Sequence, residues 1–413
     1  MFKTRKFSGF DVDRPALNNL ANKIGTPFFL LNLPAAVDAY QELSQGANNW
    51  ERGFYIAYSL KTNPMRPLLD ALKELNALVE VVSSWEYSLA RRCGFEPSKI
   101  VFNGPLKDKA VLERAILEGV GLINIDELSE LQRIEKIAAL NKHKPRIGIR
   151  VCPEYGQPAS RFGIQIKSKD LESAMELAKE SPHLELCGIH LHFGTQLTNE
   201  DRDQVINTAI ELWQQYSLKS DILLDVGGGF PFEHGSLQKD QPFSPADLFK
   251  YFNDRWPDNA SQPKLILEPG RWIAAPSLSL VTRVLYEKER SAEPAIIVVD
   301  GGTNHNIMGA FYEHLWEFEK CKQKQGWYRI CGPLCMENDI MSGPRNGSIP
   351  ESGSLAIMHN SGAYSVGLSR TFIQPRPPIV CLTDNDAKVI VKREDLDNSY
   401  PEMLLTTKMD LNG

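Results

Sequence analysis

Between residues 26 and 275 of this 413-residue chain, short β-rich runs alternate with longer stretches that repeat apolar residues every three or four positions. The pattern predicts strands at 28–31, 53–58, 78–82, 100–102, 122–125, 146–151, 187–192, 222–226 and 264–268. Helical patterning fills the gaps, as from Asp108 to Gly119 and from Ser168 to Ser181. Strand–helix–strand repeats over about 250 residues point to a parallel (β/α)8 barrel rather than a sandwich. An open doubly wound sheet is the rival. It would focus the chemical residues at one switch point, whereas here they fall near the ends of many strands.

After residue 275 the texture changes. Runs at 277–285, 295–300, 354–358 and 379–382 are separated by Gly, Pro and Asn turns, which predicts a mostly β second domain. The expected division is a barrel over 26–275 and a β domain from 1–25 with 276–413. The segment 342–348 (Ser-Gly-Pro-Arg-Asn-Gly-Ser) reads as a turn-rich loop, and the residues from about Met403 as a frayed end. A chain of this length exceeds what one core usually supports, in keeping with two domains.

The net charge of −6 gives no electrostatic reason to expect nucleic acid as a partner. No apolar stretch reaches the ~18 residues of a membrane span, and Ser8-Gly9-Phe10-Asp11 interrupts any signal-peptide core. Seven scattered cysteines suit reduced thiols, so a cytoplasmic protein is expected.

Five segments carry chemistry. Lys61, in Tyr58-Ser59-Leu60-Lys61-Thr62-Asn63, follows an apolar strand, and a partly desolvated amine there could attack an aldehyde. His190 and His192 share a face if their strand is regular. They suit either a zinc pair or a pocket floor on which an imidazole stacks against a flat ligand. Gly227, Gly228 and Gly229 end another strand and bare backbone N–H groups to phosphate oxygens. Glu268, in Glu268-Pro269-Gly270-Arg271, offers a carboxylate to a pyridine nitrogen, with Gly270 and Arg271 available to phosphate. Cys335, in Gly332-Pro333-Leu334-Cys335, offers a mobile proton donor. Each has a bland alternative: a surface lysine, interior histidines, a common glycine turn, a surface Glu–Arg pair, an inert thiol. Together they are the parts of a pyridoxal 5'-phosphate (PLP) enzyme.

In this order the motifs resemble the fold-type III PLP-dependent decarboxylases, the group of diaminopimelate, ornithine and arginine decarboxylases. The resemblance spans nearly the whole chain. It implies an alanine-racemase-like barrel with a C-terminal β domain, working as a homodimer with sites at the subunit interface. It implies that Lys61 bonds to the cofactor, that His192 stacks on its ring, and that Thr195 lies nearby. It further implies that Gly227 to Gly229 with Gly270 and Arg271 hold phosphate, and that Glu268 meets the pyridine nitrogen. Cys335 resembles the catalytic cysteine contributed across the interface, and Tyr364 the tyrosine near the phosphate.

The departures concern the substrate's far end. The residue after the catalytic cysteine is usually acidic, and here it is Met336. Asp339 keeps its place, but Glu337 does not fill the usual acidic slot. The segment Asp300 to His305 resembles D-x-G-M-N, yet Met308-Gly309 stands where diaminopimelate decarboxylases carry Arg-Pro. A distal ammonium without its partner would cost about 1–3 kcal/mol. A small-molecule or carrier-linked amino acid is therefore expected in place of a free diamino acid, as in siderophore or antibiotic pathways. A free diamino acid decarboxylase, a racemase and a catalytically silent regulatory homologue are the alternatives. Retention of Lys61, Glu268 and Cys335 argues against the last.

Overall fold

The computed structural model describes residues 14–152, 160–192, 194, 199–232, 244–291, 293–382 and 387–399. They form two compact units, one from residues 37–232 with 244–273 and the other from 14–36 with 274–399. In chain order the first strands are β1 (Phe28–Leu31), β2 (Phe54–Ser59), β3 (Leu78–Val81), β4 (Ile100–Phe102), β5 (Leu122–Ile125), β6 (Arg146–Cys152), β7 (Ile164–Gln165), β8 (Glu185–His190), β9 (Leu223–Asp225) and β10 (Lys264–Leu267). The helices among them are α1 (Arg14–Ile24), α2 (Leu33–Ala47), α3 (Arg66–Glu74), α4 (Ser84–Arg92), α5 (Lys109–Glu118), α6 (Leu128–Asn141), α7 (Lys169–Glu180), α8 (Asn199–Gln215), α9 (Pro245–Arg255) and α10 (Arg271–Ala274).

The larger unit is the predicted parallel barrel. Strands β2, β3, β4, β5, β6, β8, β9 and β10 pair in that order, and β10 pairs back onto β2. Local chemistry punctuates the helices. Ser83, Asp108, Ser168 and Ser244 cap α4, α5, α7 and α9, each side chain accepting an N–H from three residues on. Gly119 ends α5 in the left-handed conformation that glycine adopts without penalty.

The lumen is filled in layers. Ala57, Val101, Leu122, Cys187 and Ile266 form an apolar cluster, with Leu78 and Leu223 packed against it. Side chains alternate faces along a strand, so the residue two further on returns to the same side. Two positions after Ala57, Leu78, Val101, Leu122, Leu223 and Ile266 come Ser59, Glu80, Asn103, Asn124, Asp225 and Glu268, all buried. An apolar floor thus underlies a polar layer at the C-terminal ends of the strands, where barrels of this kind carry their chemistry.

The smaller unit is mostly β, as expected. It adds β11 (Leu278–Lys288), β12 (Ala295–Val299), β13 (Trp316–Phe318), β14 (Cys321–Cys331), β15 (Ile340–Pro350), β16 (Leu355–Met358), β17 (Ile379–Leu382) and β18 (Ala387–Val391). Their order is β15-β14-β12-β11-β1-β17-β18, with β16 paired to β11 and β13. The strand read at 28–31 exists, but it belongs to this sheet, antiparallel to β11 and parallel to β17. Its four buried apolar residues look like those of any interior strand, and nothing local says which sheet they enter. Helix α1 covers it, packing Leu17, Leu20 and Ala21 against Phe28, Leu30, Val281 and Val380.

The segment 342–348 is not a loop. It lies within β15, paired along β14 with Trp327 opposite Asn346 and Tyr328 opposite Arg345. Strand β15 is an edge strand, where glycine and proline are tolerated because one side of the ladder needs no partner. No helix among the described residues is long and apolar enough to cross a membrane.

Gly46, inside α2, tests the packing. Alanine normally stabilises a helix interior relative to glycine by roughly 0.5–1 kcal/mol. Here a Cβ would meet the start of α9, 2.7 Å from the Ala246 amide nitrogen and 2.8 Å from the Pro245 carbonyl carbon. Backbone cannot swing aside, so Gly46→Ala is expected to lower stability by about 1–3 kcal/mol, the scale of overpacking. Chemical denaturation would read this as a lower midpoint at unchanged slope; a raised midpoint would refute it.

Candidate active site

Lys61 stands in a single helical turn, Leu60–Thr62, directly after β2. Its Nζ donates to both oxygens of Glu80, at 2.8 and 3.1 Å. The lysine side chain is 41% exposed, more open than the partly desolvated site expected, and an acid rather than an apolar wall meets it. Glu80 itself is buried on β3 and accepts from Ser59 Oγ at 2.5 Å and Asn103 Nδ2 at 3.2 Å. Burial pushes its carboxyl up, but the Lys61 charge and these hydrogen bonds outweigh burial and leave it below the usual carboxylate value.

The same Asn103 amide donates to Glu268 Oε1 at 2.5 Å. Asn124 links the next members, its Nδ2 donating to Asn103 Oδ1 at 2.8 Å and to Asp225 Oδ2 at 3.0 Å. Burial, then the charges of Asp225 and Glu80, drive the Glu268 carboxyl well above its ordinary range. Burial likewise pushes Asp225 up to about 7. Lys107 braces the layer from outside the cleft. It is fully buried, and its Nζ donates to Glu130, Gly104 O and Asn124 O.

His190 and His192 do not share a strand face, because β8 ends at His190. His190 is buried, its Nε2 3.7 Å from Glu268 Oε2, and neither ring nitrogen has a hydrogen-bond partner among the described residues. His192 lies beyond the strand and accepts from the Gly228 amide through Nδ1 at 3.1 Å. Burial holds both imidazoles neutral, lowering His192 to about 4 and His190 well below its ordinary value. Thr195 lies outside the described residues.

The glycines are needed where they stand. Gly227 has a φ of +66°, donates to Asp225 Oδ1 at 2.9 Å, and would press a Cβ into the His192 ring and Leu191 O. A Cβ on Gly228 would lie 2.8 Å from Glu268 O. Gly229 has a φ of +83°. Gly270 abuts Thr62 and Ser59, and Arg271 begins α10 beside it.

The other predicted residues lie in the smaller unit. Cys335 is exposed and Met336 half-buried in the turn after β14, and Met308 is half-buried in a short helical turn, Ile307–Ala310. Asp339 is buried, and its carboxylate accepts from Thr303 N at 2.8 Å, Thr303 Oγ1 at 2.9 Å and Leu334 N at 2.8 Å. It ties the 301–303 loop to the Cys335 turn. Tyr364 holds a left-handed φ of +59°, a strained conformation for a non-glycine residue.

The sequence reading passed over Glu80, Asn103, Asn124 and Asp225 as site residues. Their signal was present: a single polar side chain two residues past an apolar one, on strands otherwise buried. Glu86, in the first turn of α4, was passed over as well; burial pushes its carboxyl up to about 7 while it accepts from Val82 N.

These groups fit the PLP that the sequence implies. An amine stands ready for an aldehyde, an acid for a ring nitrogen, and glycines line the approach where any Cβ would collide. Nε2 of buried His190, without a hydrogen-bond partner among the described residues, lies 3.7 Å from the same acid. The chain also matches the family model described as "Pyridoxal-dependent decarboxylase, pyridoxal binding domain" over residues 40–275. A diaminopimelate decarboxylase of Aquifex aeolicus is 29% identical, covering 94% of this chain and 93% of the relative. An L-glutamyl-[BtrI acyl-carrier protein] decarboxylase of Niallia circulans is 26% identical over 97% and 99%. Among solved structures, diaminopimelate decarboxylase from Helicobacter pylori complexed with L-lysine aligns with a TM-score of 0.79 at 26% identity, covering 93% and 98%. The matched family model spans more than half of the chain, which therefore belongs to the pyridoxal-dependent decarboxylases and is a PLP-dependent carboxy-lyase of amino acids.

Proposed function

We propose that this decarboxylase acts on an amino acid whose far end is uncharged or joined to a larger group, as in siderophore or antibiotic assembly. The observation that carries the reading is the turn after β14. Met336 occupies the position where the resemblance implies an acid. The neighbouring Asp339 has its oxygens engaged by Thr303 and Leu334. A free distal ammonium brought there would forgo a partner, a loss of about 1–3 kcal/mol. Met308 replaces an arginine by the same comparison, so a distal carboxylate is also unmatched. The Niallia circulans relative is named for a glutamyl group on an acyl-carrier protein, which gives the reading a precedent. The second reading, decarboxylation of free diaminopimelate, is favoured by relatives that bear that name, the Aquifex aeolicus protein among them.

Bound PLP supplies an aldehyde that takes up amines and a protonated ring that accepts the electron pair left as carbon dioxide departs. Lys61 is the resident amine, held at the mouth by Glu80. When a substrate amine takes its place, the Lys61 ammonium has a buried carboxylate to return to, so neither charge is stranded. Neutral His192 presents its ring face to the cofactor without adding positive charge. Glu268 keeps a proton at the ring nitrogen. Gly227 to Gly229, Gly270 and Arg271 would hold phosphate, Tyr364 is the tyrosine that the resemblance implies near it, and Met308, Met336 and Asp339 would shape the substrate's far end. Cys335 Sγ delivers the proton to the α-carbon. Its exposure within its own subunit agrees with service to a partner's site, so a homodimer is part of the reading.

Two outcomes test this. Lys61→Ala is expected to lose the visible absorbance band of the bound cofactor and at least about 10³-fold in turnover, the scale on which a covalent-catalysis residue acts. A band unchanged in the variant would remove Lys61 from its role. In a carbon dioxide release screen, conjugates bearing a free amino-acid end are expected to outperform free diaminopimelate, lysine and ornithine. Met336→Glu should raise kcat/KM for a free diamino acid about tenfold, which corresponds to about 1.4 kcal/mol. Efficient turnover of free diaminopimelate by the unaltered enzyme would establish the second reading instead.

A further inference from the structure

Three buried carboxyl groups, Glu80, Asp225 and Glu268, share one hydrogen-bonded network, and among the described residues Lys61 is the amine that reaches one of these carboxylates directly, Lys107 touching the network only at Asn124 O. Lys61 pairs with Glu80. What Asp225 and Glu268 receive is neutral: the amides of Asn103, Asn124 and Gly227. The remaining charged and titratable groups around them are already committed or uncharged. Arg150, on β6, pairs with Asp126 at 3.5 Å, and Lys107 pairs with Glu130 at 2.9 Å. His190 and His192 are neutral for the reason of burial given above. Asp225, Glu268 and His190 have ligand-type atoms all within 4.8 Å of one another. Two carboxylates that close, away from water and without a cation of their own, do not both ionise.

We propose that Asp225 is a positioning residue that holds a proton on Glu268 in the cofactor-free protein, so that Glu268 meets the ring nitrogen as an acid. The inference rests on the assignment of Glu268 to that nitrogen. Asp225 is the fixed member of the pair: Gly227 N and Asn124 Nδ2 both donate to it, and those two bonds suit an anion. Glu268 is left as the member that carries the proton. The direction of both shifts agrees, since burial raises Asp225 to about 7 and, with the Asp225 charge added, raises Glu268 further. When the ring arrives unprotonated, the Glu268 O–H bond breaks and an N–H bond forms, with no proton drawn from water. The like charge of Asp225 then keeps Glu268 basic beside the pyridinium, which holds the proton on nitrogen.

The rival is that Asp225 only accepts hydrogen bonds. Asp225→Asn removes the negative charge while its amide oxygen still accepts from Gly227, and Asn124→Ala, which removes the Asn124 bond but keeps the charge, controls for the bond that the new NH2 cannot accept. Infrared spectra of the cofactor-free protein come first, followed upward in pH through about 7, the value to which burial raises Asp225. The unaltered protein is expected to keep a protonated-carboxyl stretch above that pH; the stretch is absent in Glu268→Gln, and in Asp225→Asn, where burial remains but the charge is gone, it is lost at a lower pH than in the unaltered protein. Calorimetric titration with PLP in two buffers of different ionisation enthalpy comes second. Asp225→Asn should take up more protons per cofactor than the unaltered protein, with the difference approaching one. Proton changes at Lys61 and at the phosphate are common to both proteins and cancel. Absence of the stretch in the unaltered protein, or equal proton uptake, overturns the proposal. If Asp225→Asn does not fold, the unaltered protein decides: the stretch that Glu268→Gln removes must persist and shift as Asp225 ionises at about pH 7, and no shift overturns the proposal. The spectra involve no cofactor, so their failure leaves the Lys61 test of function standing, and the reverse holds as well.

Discussion

Closing a parallel sheet into a barrel leaves its interior side chains no solvent to face. Whatever charge the upper layer carries must be balanced inside the ring. This chain places Glu80, Asp225 and Glu268 there, and among the described residues Lys61 is the cation that pairs with one of them. Asparagine amides make the arrangement tolerable. Asn103 bridges Glu80 and Glu268 through a single nitrogen, and Asn124 carries the chain of bonds on to Asp225. Gly148 on β6 gives Asn124 the space it needs, since a Cβ there would overlap its side-chain oxygen. The position of the lysine, the set of the glycine turn and the protonation of Glu268 are all consequences of how that layer is neutralised.

Much of the barrel was legible because two periodicities speak clearly. Helical stretches read as Asp108 to Gly119 and Ser168 to Ser181 correspond to α5 and α7 with their flanking caps. Strands at 100–102 and 122–125 stand where read. The failures have physical causes. Residues 28–31 are apolar on every side, and such a run carries no mark of the sheet it joins. The 342–348 segment has turn composition, yet an edge strand admits glycine and proline because half of its ladder faces no partner. The histidines would share a face only on a regular strand through both, and β8 ends at His190.

The site shows a similar split. Residues with distinctive chemistry, such as Lys61, Glu268 and the glycine run, announce themselves by type and by position after a strand. Asn103 and Asn124 do not, because asparagine near a strand end usually means a turn. Their role appears only once the ring is closed and the second residue beyond each apolar position is seen to point inward. Asp339 carries a feature that the sequence does not announce. An acid beside Cys335 invites a substrate role, and its carboxylate also accepts three hydrogen bonds that join two loops of its own unit.

That use of Asp339 bears on how specificity can change without disturbing catalysis. A carboxylate with three neutral donors is satisfied without a cation, so a substrate ammonium gains little by approaching it and would have to displace bonds that keep the Cys335 turn in place. The residue whose side chain can vary without touching that bracing is Met336, half-buried and next to the cysteine. Methionine there is flexible and polarizable, suited to an irregular apolar or mixed group. In the proposed function, acid chemistry in the barrel and adaptability in the turn are thereby carried by different residues, and the polar layer constrains only the amino-acid end of the substrate.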